Sequence, residues 1–274
     1  AHGPLLVVAR ANQFNSFPAL NWHTTPIVFT ATSPSTLLTF ASTNTSGSSG
    51  LFWDAISLSP VGSDSLQFTN VSNVIFDHIS AGYAANDIVS VLNSSNVTVQ
   101  WSVIADSFNT TNIAAGGSDI RYGAGNVTFH HNLYADNYSG NPTIGEDVAL
   151  DFVNNVIFNW GIFSGFSTND LADNPGGLTN FLNFSANYLI AGPATVFTNV
   201  AFWGGSTNTW IFQTNNVIDT NQNSIVDGAN TSWGMFSNQF TPFSHTFDIP
   251  PAPAPDEAFI AYERVLDFAG TSLL

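Results

Sequence analysis

Six times along the chain, a short run of alternating apolar and polar residues leads into a polar corner and a second apolar run. The copies read NVIFDHISA (73–81), NVTVQWSVIAD (96–106), NVTFHHNLYAD (126–136), LDFVNNVIFNW (150–160), NFLNFSANYLIAG (180–192) and WIFQTNNVIDTN (210–221). A period of two puts successive side chains on opposite faces of an extended strand, so each copy predicts two β-strands around a corner. With Ile79, Val103, Leu133, Val156, Tyr188 and Val217 taken as equivalent, the copies recur at steps of 24, 30, 23, 32 and 29 residues. Such uneven steps do not fit propeller blades, and such strand-rich segments do not fit a helical solenoid. They fit the coils of a parallel β-helix, an all-β fold in which each repeat stacks on its neighbours and loops lengthen on one side.

Asn132, Asn155, Asn187 and Asn216 each stand just before a marker position. Asparagine tolerates the left-handed backbone that a sharp corner needs, and amides stacked coil on coil can bond to one another along the axis. A structural asparagine ladder is expected. Residues 1–50 read as an N-terminal, strand-containing segment with opening coils, 51–249 as the β-helix body, and 250–274 as a proline-rich segment followed by a helix. In that helix Phe259, Tyr262, Leu266 and Ala269 fall at helical spacing, with Gly270 as the stop, so this face is expected to pack on the last coils.

Composition then narrows the partners. Charged residues make up 8% of the 274 residues, against about 25% in an ordinary globular protein. There are three arginines (Arg10, Arg121, Arg264), no lysine, and a net charge of −16. Binding a polyanion needs cations that displace its counterions, which excludes nucleic acid and an anionic membrane surface as partners. No cysteine is present, so no disulfide contributes, and no apolar run is long enough to span a bilayer. Sequons begin at Asn44, Asn70, Asn93, Asn96, Asn109, Asn126, Asn137, Asn183 and Asn230. With charge so scarce, the expectation is a secreted, N-glycosylated protein whose signal peptide has been removed, kept soluble by sugar.

Several ordered phrases resemble the pectate lyase family of polysaccharide lyases, in particular its fungal-type members. They are NVIFDHISAGYAANDIVSV, NVTFHHNLYADNYSGNPTIG, DFVNNVIFNWG, NYLIAGPATV and the terminal helix with AGTSL, together spanning roughly residues 50–274. The resemblance implies a right-handed parallel β-helix and a cleft that cleaves acidic polysaccharide by β-elimination. In that chemistry an arginine takes the C5 proton, while Ca²⁺ held by acidic side chains neutralises the uronate.

Carried over position by position, the resemblance puts the family's calcium carboxylates at Asp77, Asn86 and Ser90, its catalytic arginine at Gly140, and a further basic residue at Thr143. One carboxylate with two neutral groups makes a poor Ca²⁺ site, because affinity follows ligand charge. Asp87, next to Asn86, is expected to face the opposite side of a strand. Arg121, in SDIRYG, is the remaining cation that could replace the base. Asp77, Asp87, Glu146, Asp147 and Asp151 are the weak alternatives for a cation site. His130 and His131 are adjacent on a predicted strand and should face apart. These positions lead to the expectation of a retired lyase, serving as a structural or adhesive extracellular element and stacking end to end into a homopolymer. A working pectin or pectate lyase and a non-catalytic glycan-binding protein are the alternatives.

Overall fold

The computed structural model describes residues 64–110, 113–168, 178–249 and 254–271. The opening segment 1–50, with Arg10 and Asn44, and the run 250–253 lie outside the described residues.

Each coil contributes one strand to each of three parallel sheets, which hold seven, seven and six strands among the described residues. The first sheet carries Leu66–Thr69, Asp87–Leu92, Gly116–Arg121, Thr143–Gly145, Gly165–Ser167, Phe202–Trp203 and Phe236–Ser237 in sequence order. The second runs from Ser72–Asp77 to Thr241–Pro242, and the third from Ser80–Gly82 to Val217–Asp219. Among the described residues every strand pairing within the three sheets is parallel; outside them are a small antiparallel pair, Asn109–Thr110 with Ile113–Ala114, and an isolated antiparallel bridge, Ile218 with Ala229. This is a parallel β-helix. Among the described residues no helix is long and apolar enough to cross a membrane.

Inward-facing positions fill the coil interior, stacking like on like. Phe129, Phe152 and Phe184 are register partners and fully buried, and the Phe152 and Phe184 rings stack at 5.4 Å. Tyr134 is also fully buried; its hydroxyl meets the Ser118 hydroxyl at 3.1 Å, joining the third sheet to the first across the core.

The asparagine ladder is present, and its geometry is more economical than the sequence reading. Asn132 Nδ2 donates to Asn155 Oδ1 at 3.0 Å, Asn155 to Asn187 at 3.3 Å, and Asn187 to Asn216 at 3.1 Å. Each Oδ1 also accepts the backbone N–H of the asparagine one coil earlier. The left-handed residue is not the ladder asparagine but the one before it: His131, Asn154, Ala186 and Asn215 have φ of 52–56°. That residue turns the corner, and the next side chain closes the orphaned backbone groups. The register also moves the first marker by one residue, since Val103 pairs with Ser80 rather than Ile79.

Two sequons are corrected by burial. Asn137 and Asn183 are 1% and 2% exposed, and their amides bond to Ile104 O and Phe247 O. A glycan cannot be attached to either in this fold.

After the last coil, residues 243–249 lie across the second sheet. Phe247 N–H donates to Asn183 Oδ1 at 2.9 Å, and the rings of Phe243 and Phe247 stack at 4.7 Å. The helix Ala258–Phe268 then packs on the third sheet. Its buried face is Ala258, Ala261 and Val265, continued by Ala269, with Tyr262 half-buried beside them. Phe259 and Leu266, expected inside, are 46% and 53% exposed. Small residues let the helix axis approach the strands, and larger side chains at these positions would hold it away.

Candidate active site

The outward face of the first sheet builds a groove of about 420 Å³. Register stacks one column of side chains along it, coil by coil: Ser90, Asp119, Thr143, Phe166, Trp203 and Ser237. A neighbouring column holds Leu92, Arg121 and Gly145. Asp64, Asn86 and Asp87 line the groove where the chain enters its strands.

Three carboxylates meet here, and their surroundings separate them. Asp64 is satisfied: it accepts the Asn86 amide at 2.9 Å and the Asp87 backbone N–H at 3.3 Å. Asp87 lies over the strand of the next coil, where a Cβ at Gly116 would come within 2.3 Å of its Oδ1, so glycine makes room for it. Burial, followed by the charge of Asp64, pushes its carboxyl up to about 6. Asp119 is more perturbed. Burial and then Asp87 push it up to about 8, although Arg121 pulls the other way. Its Oδ1 is buried without a hydrogen-bond partner, and so is the Oγ of its register neighbour Ser90. A buried polar atom left unpaired costs free energy, and both of these residues line the groove.

Arg121 is committed elsewhere. Its Nε donates to Glu146 Oε2 at 2.8 Å, and its Nη2 meets Glu146 Oε1. This forked pair raises the guanidinium pKa still further, so Arg121 stays cationic and does not accept a proton. Gly140 has a φ of 67°, and a Cβ there would sit 2.8 Å from Thr143 Oγ1 and 3.2 Å from Gly116 Cα. The local packing has closed over the position that the resemblance assigns to the catalytic arginine.

The other sequence-derived positions do not converge. Asp77 ends a strand of the second sheet, exposed, and accepts Gln100 Nε2 at 3.1 Å. Asn86 and Ser90 are at the groove, so Asp77 stands apart from them. Asp87 faces the groove, contrary to its expected orientation, because it lies at the strand entry, where Asn86 and Asp87 both line the groove. Glu146 reaches Arg121, Asp147 is exposed, and Asp151 is buried in the second sheet, its carboxyl pushed up to about 6 mainly by burial. Among the described residues no three His, Asp or Glu side chains are placed to hold a metal ion. The family's Ca²⁺ therefore does not fit the positions the resemblance assigned to it. His130 and His131 do not face apart, since the chain turns at His131 (φ 55°) and their Nδ1 atoms come to 2.9 Å. His131 Nε2 meets Asp256 Oδ2, and Arg264 binds the same oxygen, which fixes both beside the C-terminal helix. Asp64 and Asp119 were not singled out from the sequence. The signal for Asp119 was its place in SDIRYG, two residues before Arg121, one coil on from Ser90.

Comparison with known proteins agrees with this architecture. A protein named probable pectate lyase C from Aspergillus fumigatus is 33% identical over 168 residues, 61% of this chain and 37% of the relative. Its counterpart in Emericella nidulans is 31% identical over 220 residues, 78% of this chain and 47% of the relative. The chain is similar in sequence to proteins named pectate lyase C. It spans between about a third and a half of the length of these curated relatives. The crystal structure of Jun a 1, the major allergen from cedar pollen, superposes with a TM-score of 0.53 at 14% identity, covering 76% of this chain and 56% of the allergen. That likeness establishes the right-handed parallel β-helix fold. No family model matches the chain. Within this fold, the chain has a carboxyl pair on its first sheet, and the position that the resemblance gives to the arginine is closed.

Proposed function

We propose that the chain is an extracellular polysaccharide lyase that acts on methyl-esterified or otherwise uncharged pectic chains, with Asp87 and Asp119 as its acid–base pair. The observation that carries this reading is the buried, unpartnered Oδ1 of Asp119 in a groove that Asp87 also lines, with both carboxyls raised by burial. Asp119 is raised further than Asp87, so Asp87 ionises first and Asp119 keeps its proton to higher pH, the division of labour that an acid–base pair requires. In the elimination, Asp87 takes the C5 proton. The freed electron pair forms the C4–C5 double bond, the C4–O4 bond breaks, and Asp119 gives its proton to the departing O4. The proton then returns from Asp87 to Asp119 through solvent. Arg121, held cationic by Glu146, stabilises the negative charge developing on the ester carbonyl.

Charge sets the substrate class. A chain at −16, with Asp64 and Asp87 lining the groove, repels a string of free uronates. An esterified carboxyl is already neutral and acidifies its own C5 proton without a cation.

The assay follows absorbance of the unsaturated product from methyl-esterified and de-esterified polygalacturonan, with and without a chelator. Turnover on the esterified polymer, insensitive to the chelator, is expected. Because the base must be ionised and the acid protonated, kcat/KM should rise through about pH 6 and fall through about pH 8, limbs that belong to the coupled pair. No product, or new reducing ends without unsaturation, would refute the reading. A second reading, glycan binding without cleavage in a structural or adhesive protein, is favoured by the closed Gly140 position and predicts affinity with no product.

A further inference from the structure

Thr128 carries a hydroxyl for which the fold has no use. Its chain neighbours Val127 and Phe129 fill the coil interior, so Thr128 faces outward on the second sheet. It is nevertheless fully buried, and its Oγ1 has no hydrogen-bond partner. Asp151, its register partner on the next coil, also keeps an unpaired oxygen, so the two do not satisfy each other. A buried hydroxyl left unpaired costs free energy, and valine, of the same shape, would not carry that cost. The column itself shows that a hydroxyl is not required. Ile75, Thr98 and Thr128 are register partners on successive coils, and the first of them is apolar.

The residue two positions earlier supplies a reason. Asn73, Asn96 and Asn126 turn the same corner, each with φ of 53–60°, and their side chains bond in series at 3.1 and 3.2 Å. All three do the same backbone work. Asn96 and Asn126 begin the pattern Asn-Val-Thr, whereas Asn73 is followed by Val74 and Ile75. A hydroxyl therefore stands in this column where the corner asparagine can accept an N-linked glycan, and is missing where it cannot. The acceptor pattern is read on the extended chain, with the threonine hydroxyl in contact with the transferase. Folding then buries that hydroxyl with nothing to pair with.

Of the two asparagines, Asn126 has the more open surroundings. Asn96 sits within the series, donating to Asn73 and accepting from Asn126, while Asn126 ends it. The register of Val127 with Leu150 brings Asn126 against Ala149, a small side chain that leaves room for a sugar. One Nδ2 hydrogen of Asn126 is donated to Asn96 Oδ1, and the other is free to be replaced.

We infer that Asn126 is an N-glycosylation site, and that Thr128 keeps its hydroxyl for glycan attachment and not for the fold. In the transfer, Nδ2 bonds to the anomeric carbon of a lipid-diphosphate-linked oligosaccharide. The anomeric C–O bond breaks, the lipid diphosphate leaves, and one Nδ2 proton is released. The sugar then projects from the corner that joins the first sheet to the second. This inference does not depend on the lyase reading.

Its test has two arms. In the first, the chain is secreted from a eukaryotic host, its N-glycans are removed enzymatically in heavy-oxygen water, and labelled aspartate is mapped by peptide mass spectrometry. Label is expected at Asn126 in the unaltered protein and in Thr128→Ser, and should be lost in Thr128→Val. In the second arm, the same proteins are made in bacteria, without glycan, and melted. Thr128→Val should then melt about 3 °C higher than the unaltered protein. An unlabelled Asn126 in the unaltered protein, or label that survives Thr128→Val, would overturn the site. A lower melting temperature for Thr128→Val would return the hydroxyl to the fold and overturn its assignment to attachment.

Discussion

Asp119→Asn is expected to lower kcat by ~10²–10⁴, the usual contribution of a positioned acid or base, while leaving oligosaccharide affinity nearly unchanged. Asparagine keeps the shape and a hydrogen-bonding edge but has no proton to give to a departing O4. Loss of fold would give the same loss of rate, and the sign of the pH dependence separates the two. Burial raises the folded-state pKa of Asp119 to about 8 from 3.8, so stability is greatest below 3.8, where both states are protonated, and is lost progressively until the pH reaches about 8. Above that pH the native protein must hold a buried carboxylate, and the variant need not. The variant should therefore melt at an equal or higher temperature than the unaltered protein at pH 9. Calorimetry alongside the absorbance assay reads both. A fall in activity accompanied by a lower melting temperature at pH 9 would assign Asp119 to the fold instead.

The second large effect concerns the scaffold. Asn155→Ala should cost ~3–5 kcal/mol, because it orphans several buried groups at ~1–3 kcal/mol each. Asn132 loses the acceptor for its backbone N–H at 3.0 Å, and the Phe129 carbonyl loses its donor at 2.8 Å. The amide contact to Asn187 goes as well. All these groups are fully buried, so water does not replace what is lost. For a chain of this size the melting temperature should drop by roughly 10 °C. The exposed ladder gives the contrast. Asn126, Asn96 and Asn73 also bond in series, at 3.2 and 3.1 Å, but on the surface. Asn96→Gly, which retains the left-handed backbone, should change stability by less than about 0.5 kcal/mol. Chemical denaturation of the two variants measures the difference directly.

What could be read from the sequence follows from how local each signal is. A period of two and the recurring corner asparagines are contained within ten residues, so the coils and the buried ladder were legible. The left-handed corner fell one residue earlier than read, because the ladder asparagine closes the turn and its neighbour makes it. The helix was legible from its spacing, but its buried face was not. Hydrophobicity favoured Phe259 and Leu266, whereas close approach to the third sheet selected the alanines. The site was the least legible part. Ser90, Asp119 and Thr143 are neighbours only through coil register, across intervals of 29 and 24 residues, and a one-residue change in any loop would break the column. Matching positions to a family motif led to Asp77 and Gly140. The carboxyls that meet in the groove came from other positions, Asp64, Asp87 and Asp119.

On the lyase reading, Asp119 remains a protonated carboxylic acid in the groove at neutral pH. Carbon-detected NMR of the side-chain carboxyls, titrated from pH 4 to 10, tests it most directly, with Asp119→Asn and Asp87→Asn assigning the signals. A resonance that is absent from Asp119→Asn is expected with its midpoint near pH 8, and in Asp87→Asn that same resonance should have a lower midpoint. An Asp119 carboxyl that is already ionised by pH 5 would contradict it.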